Sequence, residues 1–380
     1  MLSISDPAYA SWLGISTLNY AGVTITERTA LSVPAMWRAV NLVAGAIASL
    51  PARAILVNED GTRERVSSWL DAPGGPDGPT AFEFWETVML HLMVHGNAFL
   101  IHIRNGAGAV IGLQIIHPLA VAVFLEPTTL LKTYHVTLED GRVIVLDSTA
   151  LLHIPAICSD GIRGISLVEQ CKNSFGTSIA ADRAAAKMFA DGALVAGLVT
   201  PEEEDLEEGE AETIKQGLNA KVAGWENAGA LAVVNRRLKF TPWTQTHEQG
   251  QFIESRAFQI EEVARMTGVP PHLLMQTEKQ TSWGTGVAEQ NRGLSRLTLG
   301  PWAARIEQRI SRLLSGTKRM EFDFTGLERP TPEQEVDLLV KQVAGGIITQ
   351  NEARAVRNLP PVTGGDTLVA PTAGADTTGV

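Results

Sequence analysis

Residues 166–191 read SLVEQCKNSFGTSIAADRAAAKMFAD, and residues 249–267 read QGQFIESRAFQIEEVARMT. The first stretch lacks proline and places Leu167, Cys171, Phe175 and Ile179 four residues apart, with Met188 and Phe189 beyond. The second aligns Phe252, Ile253, Ala257, Ile260, Val263 and Ala264 along one face. Both follow the i, i+3, i+4 spacing of a helix with one apolar side. At 1.5 Å per residue the first would run about 39 Å. Two such helices flanking a short insert cannot bury both apolar faces alone, and further copies of the chain would supply the missing partner; the alternative is that they pack within a single chain.

The insert carries its own elements. A strand is expected at Gly197 to Val199, followed by TPEEEDLEEGEAE. Thr200 reads as an N-cap, Pro201 as the first helical position and Glu203 as the other half of a capping box. The acidic run then opens a helix through Ile214, Leu218 and Trp225, because carboxylates favour a helix N-terminus. Strands at Ala230 to Val234 and Leu238 to Trp243 close the unit.

Upstream, Val33, Met36, Trp37, Val40, Val43, Ala44 and Ile47 mark a buried helix face that Pro51 terminates. Thr80 with Glu83 forms a capping box for a second helix along Phe84, Val88 and Leu92. The period then becomes strand-like. Ala98 to Arg104 turns at Asn105-Gly106 into Val110 to Ile116, and Thr133 to Glu139 turns at Asp140-Gly141 into Arg142 to Leu146. The fold class is therefore α+β, with a mainly antiparallel sheet in the first part.

Downstream, Gly268 and Pro270-Pro271 end the second long helix, and a polar loop from Gln276 to Gly286 holds Lys279 and Trp283. Val287 to Leu314 is helical with an interruption at Gly300-Pro301, which should kink it. A lone strand, Met320 to Phe324, has nothing local to pair with and should return to the first sheet. Thr331-Pro332 with Gln334, and Thr349 with Glu352, start two last helices divided by Gly345-Gly346. The tail after Pro361 is small and polar and reads as mobile.

The 380 residues hold 31 Lys plus Arg against 42 Asp plus Glu, a formal charge of −11, which excludes a simple basic DNA clamp. Hydrophobic residues at 44% and charged residues at 19% exclude a disordered chain. The charge is uneven. Thr200 to Glu212 holds eight acidic and no basic residues, whereas Glu278 to Arg319 holds eight basic and three acidic. Two cysteines, Cys158 and Cys171, are too few for a disulfide framework and read as reduced and intracellular. No signal peptide and no membrane span are expected.

Catalytic and metal motifs fail one by one. His91 and His95 have the i, i+4 spacing of a metal pair, but HLMVH lacks the Glu of a zinc hydrolase and no third ligand is evident, so both are expected as partly buried, hydrogen-bonded rings. Gly106, Gly108 and Gly112 sit in a hairpin turn, not before a helix as a phosphate loop requires. No GxxxxGK[ST] and no GxSxG occur. Cys158 with His153 lacks an orienting carboxylate. The consecutive acids from Glu202 to Glu212 point around a helix without converging on a metal. No enzyme, cofactor or metal site is expected.

The order of elements and the wording of five segments resemble the portal proteins of tailed bacteriophages and their prophages. These segments are VPAMWRAVNLVAGAIASLP at 33–51, DGIRGISLV at 160–168, FIESRAFQIEEVARMTGVPPHLL at 252–274, the stretch 281–310, and NLPPVTGGD at 358–366. The resemblance covers nearly the whole chain. One departure is Met275, where relatives often carry glycine.

That resemblance implies a dodecameric ring at a capsid vertex of the virion, assembled in the host cytoplasm, through which double-stranded DNA passes non-specifically. It implies a β-rich wing over 1–165 with 317–330, stem helices at 166–191 and 249–267, and a small inserted αβ clip at 192–248. It places a turn and tunnel loop at 268–286, a kinked wing helix at 287–316 and a helical C-terminal crown at 331–380. Gln276, Thr277, Lys279, Gln280, Thr281, Ser282 and Trp283 would face the DNA. Glu202, Glu203, Glu204, Asp205, Glu207, Glu208 and Trp225 would dock the large terminase subunit and the head-tail adaptor. Capsid and scaffold protein are further implied partners, and a membrane is not. The competing readings are another virion component, such as a minor head or adaptor protein, and a soluble acidic hydrolase.

Overall fold

The computed structural model describes residues 19–190, 197–201, 238–242, 248–276, 292–327 and 332–369. Two compact units divide the chain at Phe322.

The first unit opens with a one-turn helix α1 (Glu27–Leu31), capped by Thr26, and then α2 (Pro34–Ala48) with proline at its first position. Strands β1 (Ala52–Val57) and β2 (Arg63–Val66) follow, then α3 (Ala81–His95). The expected capping box is present: Thr80 Oγ1 accepts from the Glu83 N–H, and Glu83 accepts from the Thr80 N–H. Met36, Val40, Val43 and Ile47 of α2 are buried together with Phe84, Val88 and Leu92 of α3, and the two helices pack along each other. Trp37, read as part of that face, is instead 55% exposed.

Six strands come next: β3 (Asn97–Arg104), β4 (Val110–Ile116), β5 (Val121–Leu125), β6 (Lys132–Thr137), β7 (Val143–Leu146) and β8 (Leu151–Pro155). Both expected hairpins form, with Gly108 and Gly141 at φ +81° and +82° supplying the left-handed turn positions. The single sheet expected here is divided. β4-β3-β8 and β5-β6-β7 are separate three-stranded antiparallel sheets, and Phe99, Val121, Tyr134, Val136 and Leu151 form one buried cluster from strands of both. The β5-β6-β7 sheet lays one face against Phe99 and Leu151, while Ala98, Leu100, Leu152 and Ile154 on the opposite face of β3 and β8 are buried as well.

The expected long helix from Ser166 is interrupted. α4 (Leu167–Gln170) ends at Cys171, whose ψ of 16° breaks the ladder, and α5 (Lys172–Ala190) continues beyond it. Strands β9 (Gly197–Pro201) and β10 (Leu238–Pro242) pair antiparallel. This corrects the expected helix start: Thr200 and Pro201 are strand residues facing Lys239 and Leu238, so any helix in that segment begins after Pro201. Proline is tolerated there because it ends a strand.

Helix α6 (Glu248–Thr267) packs against α5 and α2. Before Pro301 the chain is π-helical from Leu294 to Leu299, and the regular helix α7 spans Gly300–Ile310. Proline has no N–H, and its ring would strike the carbonyl one turn back; the wider π turn relieves this, with the Gly300 N–H donating to Ser295. The return strand β11 (Lys318–Phe322) pairs antiparallel with β1, two residues earlier than the sequence suggested. Ser311 Oγ and Glu307 Oε1 of the preceding segment accept from the Met320 and Phe322 N–H groups.

The second unit holds α8 (Pro332–Ala344) and α9 (Gln350–Val356), the latter with the Thr349–Glu352 capping box. The expected mobile tail is tied down as far as Asp366. Asn351 accepts from the Val362 N–H and donates to the Val362 carbonyl and the Asp366 carboxylate. Among the described residues no helix is long and apolar enough to cross a membrane.

Candidate functional sites: a helix junction, a loop base and a histidine cluster

The sheet hands over to the first long helix through a backbone contact. α3 ends at Gly96, whose φ of +70° only glycine adopts without strain. The Gly96 carbonyl accepts from the Ala156 N–H at 2.8 Å, and Gly164 lies directly against it. Asn97, 1% exposed, ties the pieces together. Its Nδ2 donates to the carbonyls of His95 and Gly164, both at 2.9 Å. Its Oδ1 accepts from the Gly164 N–H at 2.8 Å and from His153 Nε2 at 2.9 Å. Ser166 completes the joint: its Oγ accepts from the Glu169 N–H, capping α4, and donates to the Val94 carbonyl near the end of α3. His153 is therefore held by Asn97 and stacked on Phe99, not paired with Cys158. Burial pushes the His153 imidazole down to about 3 and the Cys158 thiol up, so neither matches an activated thiolate pair.

The base of the polar loop is equally defined. Thr298 Oγ1 donates to the Gly268 carbonyl at 2.6 Å, and Arg38 Nε donates to the Leu273 carbonyl at 3.3 Å. Pro271–Leu274 form a short 3₁₀ turn that ends at Met275 with φ +65°. A non-glycine residue in that region costs roughly 1–2 kcal/mol, and the Met275 side chain is 76% exposed and recovers little by packing. Met275→Gly is expected to raise stability by about 0.5–1 kcal/mol in urea unfolding. A fall in stability would show that the methionine side chain contributes contacts that outweigh its backbone strain.

His91 and His95 are both buried as expected, but only His95 has the expected hydrogen bond. His95 does hydrogen-bond, but its partner comes from far away: its Nε2 lies 3.1 Å from Glu27 Oε2, 68 positions earlier. His117 Nε2 lies 3.4 Å from the same oxygen. His91 is buried with an Nδ1 that has no partner. The rings of His91, His95 and His117 meet edge-on with centroids 5.1–6.2 Å apart. Hydrogen bonds from His117 and His95 hold the Glu27 carboxyl well below the usual range. Burial pushes His91 down to about 3 and lowers His95. The sequence spacing paired His95 with His91, whereas the fold brings Glu27 and His117 to His95 instead, and His91 stands outside that group of three donor atoms.

Of the residues expected to face DNA, Gln276 is described and accepts its place at the loop base, its N–H donating to the Pro271 carbonyl. Thr277, Lys279, Gln280, Thr281, Ser282 and Trp283 lie outside the described residues. So do Glu202, Glu203, Glu204, Asp205, Glu207, Glu208 and Trp225, and the expected strand from Ala230 to Val234.

A family model described as "Phage portal protein" matches residues 34–358. A "Probable portal protein" of Streptomyces phage phiC31 is 29% identical over 95% of this chain and 82% of its own length. The "Portal protein" of Enterobacteria phage HK97 is 28% identical over 93% of this chain and 85% of its own. Among solved structures, a chain from the neck of a native GTA particle, computed with C12 symmetry, superposes with a TM-score of 0.60 at 21% identity, covering 88% of this chain and 92% of that one. An HK97-family phage portal protein from Corynebacterium diphtheriae gives a TM-score of 0.60 at 20% identity, covering 82% and 100%. At these identities the two structures are similar to this chain in fold.

Proposed function

The chain belongs to the phage portal protein family, and we propose that twelve copies close into a ring at one capsid vertex, through which double-stranded DNA enters during packaging and leaves during ejection. The observation that carries this reading is the extent of the match. The family spans residues 34–358, taking in the helix junction, the paired long helices and the loop base together. A structural relative computed with C12 symmetry supports the subunit number.

On this reading the sheets before residue 165, with residues 317–330, form the wing. Residues 166–191 and 249–267 are the stem, 192–248 the clip, and 331 onward the crown. The clip, through Glu202 to Glu208 and Trp225, docks the large terminase subunit and later the adaptor. Two surfaces fit a neighbour in a ring. Phe124, Val143 and Val145 of the β5-β6-β7 sheet are each at least half exposed, as is Val340 of α8, and apolar surface of this kind is normally covered in an assembly. The chain acts as a conduit without catalytic chemistry of its own. A duplex that must slide gains little from tight binding, since every neutralised phosphate retards it.

The loop offers a direct test. Lys279→Glu places twelve carboxylates where twelve ammonium groups would brush the backbone, and a several-fold fall in packaged or retained genome is expected in a phage assembly assay. Unchanged packaging and retention would remove Lys279 from the channel lining. A closed ring with a central channel in negative-stain images separates the portal reading from a minor head or adaptor protein.

A further inference from the structure

From the convergence of Glu27, His95 and His117 on one point beside the orphaned ring of His91, we propose that the chain binds a tetrahedral transition-metal ion of the zinc class, which clasps α1 to the end of α3 and to the turn between β4 and β5.

The three donor atoms, Glu27 Oε2, His95 Nε2 and His117 Nε2, all lie within 4.8 Å of one another. Two of their separations are 3.1 and 3.4 Å. Ligands about 2.0–2.1 Å from a tetrahedral zinc stand about 3.3–3.4 Å apart, so these side chains need only small shifts to share an ion. The donor set of two imidazoles and one carboxylate is borderline in softness, which suits zinc or cobalt and does not suit magnesium or calcium.

His91 supplies an independent observation. It is 6% exposed, its Nδ1 has no hydrogen-bond partner, and its ring lies 5.2 Å from that of His117. A buried unpaired ring nitrogen costs stability unless something occupies it. Imidazoles bound through nitrogen to one tetrahedral ion have centroids about 5 Å apart, by adding the ring radius to the metal–nitrogen distance. The His95–His117 and His91–His117 separations of 5.1 and 5.2 Å match, whereas His91–His95 at 6.2 Å requires a rotation of His91 to bring in the fourth ligand.

Existing contacts must give way: the hydrogen bonds that His95 and His117 make to Glu27, and one at His117 Nδ1. His117 Nδ1 accepts from the Leu119 N–H at 3.3 Å, which leaves the ring proton on Nε2. Metal at Nε2 displaces that proton to Nδ1 or to water and forfeits the Leu119 contact. Three metal–ligand bonds replace the two hydrogen bonds to Glu27 and this long contact, and the proton displaced from each Nε2 moves to Nδ1 or to solvent. The clasp would join segments that α1, too short to be stable alone, cannot otherwise hold firmly.

The test uses the full chain without an affinity tag, stripped with chelator and titrated with zinc chloride by calorimetry and with cobalt chloride by absorption spectroscopy. Expected are one ion per chain, intense visible cobalt bands of tetrahedral type, and affinity at least about a hundredfold lower in both Glu27→Gln and His117→Ala. His135→Ala, outside the cluster, should bind as the unaltered chain does. If circular dichroism shows His117→Ala to be misfolded, the nearly isosteric Glu27→Gln decides. Absence of saturable zinc binding, or undiminished affinity in Glu27→Gln, overturns the site.

Discussion

Gly164→Ala is expected to leave the chain largely unable to hold its helix junction, with a loss of at least about 3 kcal/mol in urea unfolding and little soluble assembly. The reason is backbone geometry. A Cβ at Gly164 would sit 1.9 Å from the Gly96 carbonyl oxygen and 2.8 Å from the Ala156 nitrogen, in the middle of the hydrogen bond that these two atoms make. Neither neighbour is a flexible side chain that can swing away. Gly96 meets the same obstacle from the other side, where a Cβ would lie 2.1 Å from the Ile165 oxygen at a φ of +70°. Separating Gly96 from the 156–165 loop by the needed amount removes the Asn97 contacts as well. Against a typical stability of about 5–15 kcal/mol, such a loss is a large fraction. An alanine variant that unfolds at the same urea concentration would mean that residues 160–165 can be displaced without cost, and the junction would lose its structural importance.

Asn97→Leu should cost about 3–5 kcal/mol, although leucine is close in volume and the site is buried. The amide makes four hydrogen bonds, and its orientation is fixed because Gly164 both donates to Oδ1 and accepts from Nδ2. Leucine leaves the Gly164 N–H, the Gly164 and His95 carbonyls and His153 Nε2 without their partner. Each buried polar group left unpaired costs roughly 1–3 kcal/mol, partly offset by apolar burial. His153 cannot escape by becoming charged, since burial already holds it neutral. The measurement is the urea midpoint of Asn97→Leu beside that of Asn105→Ala, whose hairpin amide is exposed and whose loss should cost far less. Equal midpoints for the two would contradict the assigned role of the buried network.

What could be read from the residues was what adjacent residues decide. Thr80 with Glu83 and Thr349 with Glu352 announce helix starts because each box closes within four residues. Asn105 and Gly141 announce turns for the same reason. The resemblance to portal proteins likewise rested on contiguous wording, and the family match runs from residue 34 through the first four segments and ends at Asn358, where the fifth begins. What could not be read depends on distant partners. His91 and His95 looked like a pair without partners because Glu27 and His117, which lie beside His95, are brought in by folding alone. Gly96 and Gly164 carry no local signal that sets them apart, yet each is needed for the other's close approach. The break at Cys171 interrupts a pattern that is periodic throughout. Pro301 signalled a kink but not its form, which a π turn just before it provides. Trp37 is exposed despite lying on the apolar stripe of α2.

The proposed assembly of this chain is a twelve-membered ring around a channel. Native mass spectrometry of the purified protein, with electron microscopy of the same sample, tests it most directly. The account predicts one dominant species at twelve times the 40.8 kDa chain mass, seen end-on as a closed ring with an open centre. A chain that remains monomeric at every concentration, or that forms only open or filamentous assemblies, would contradict it.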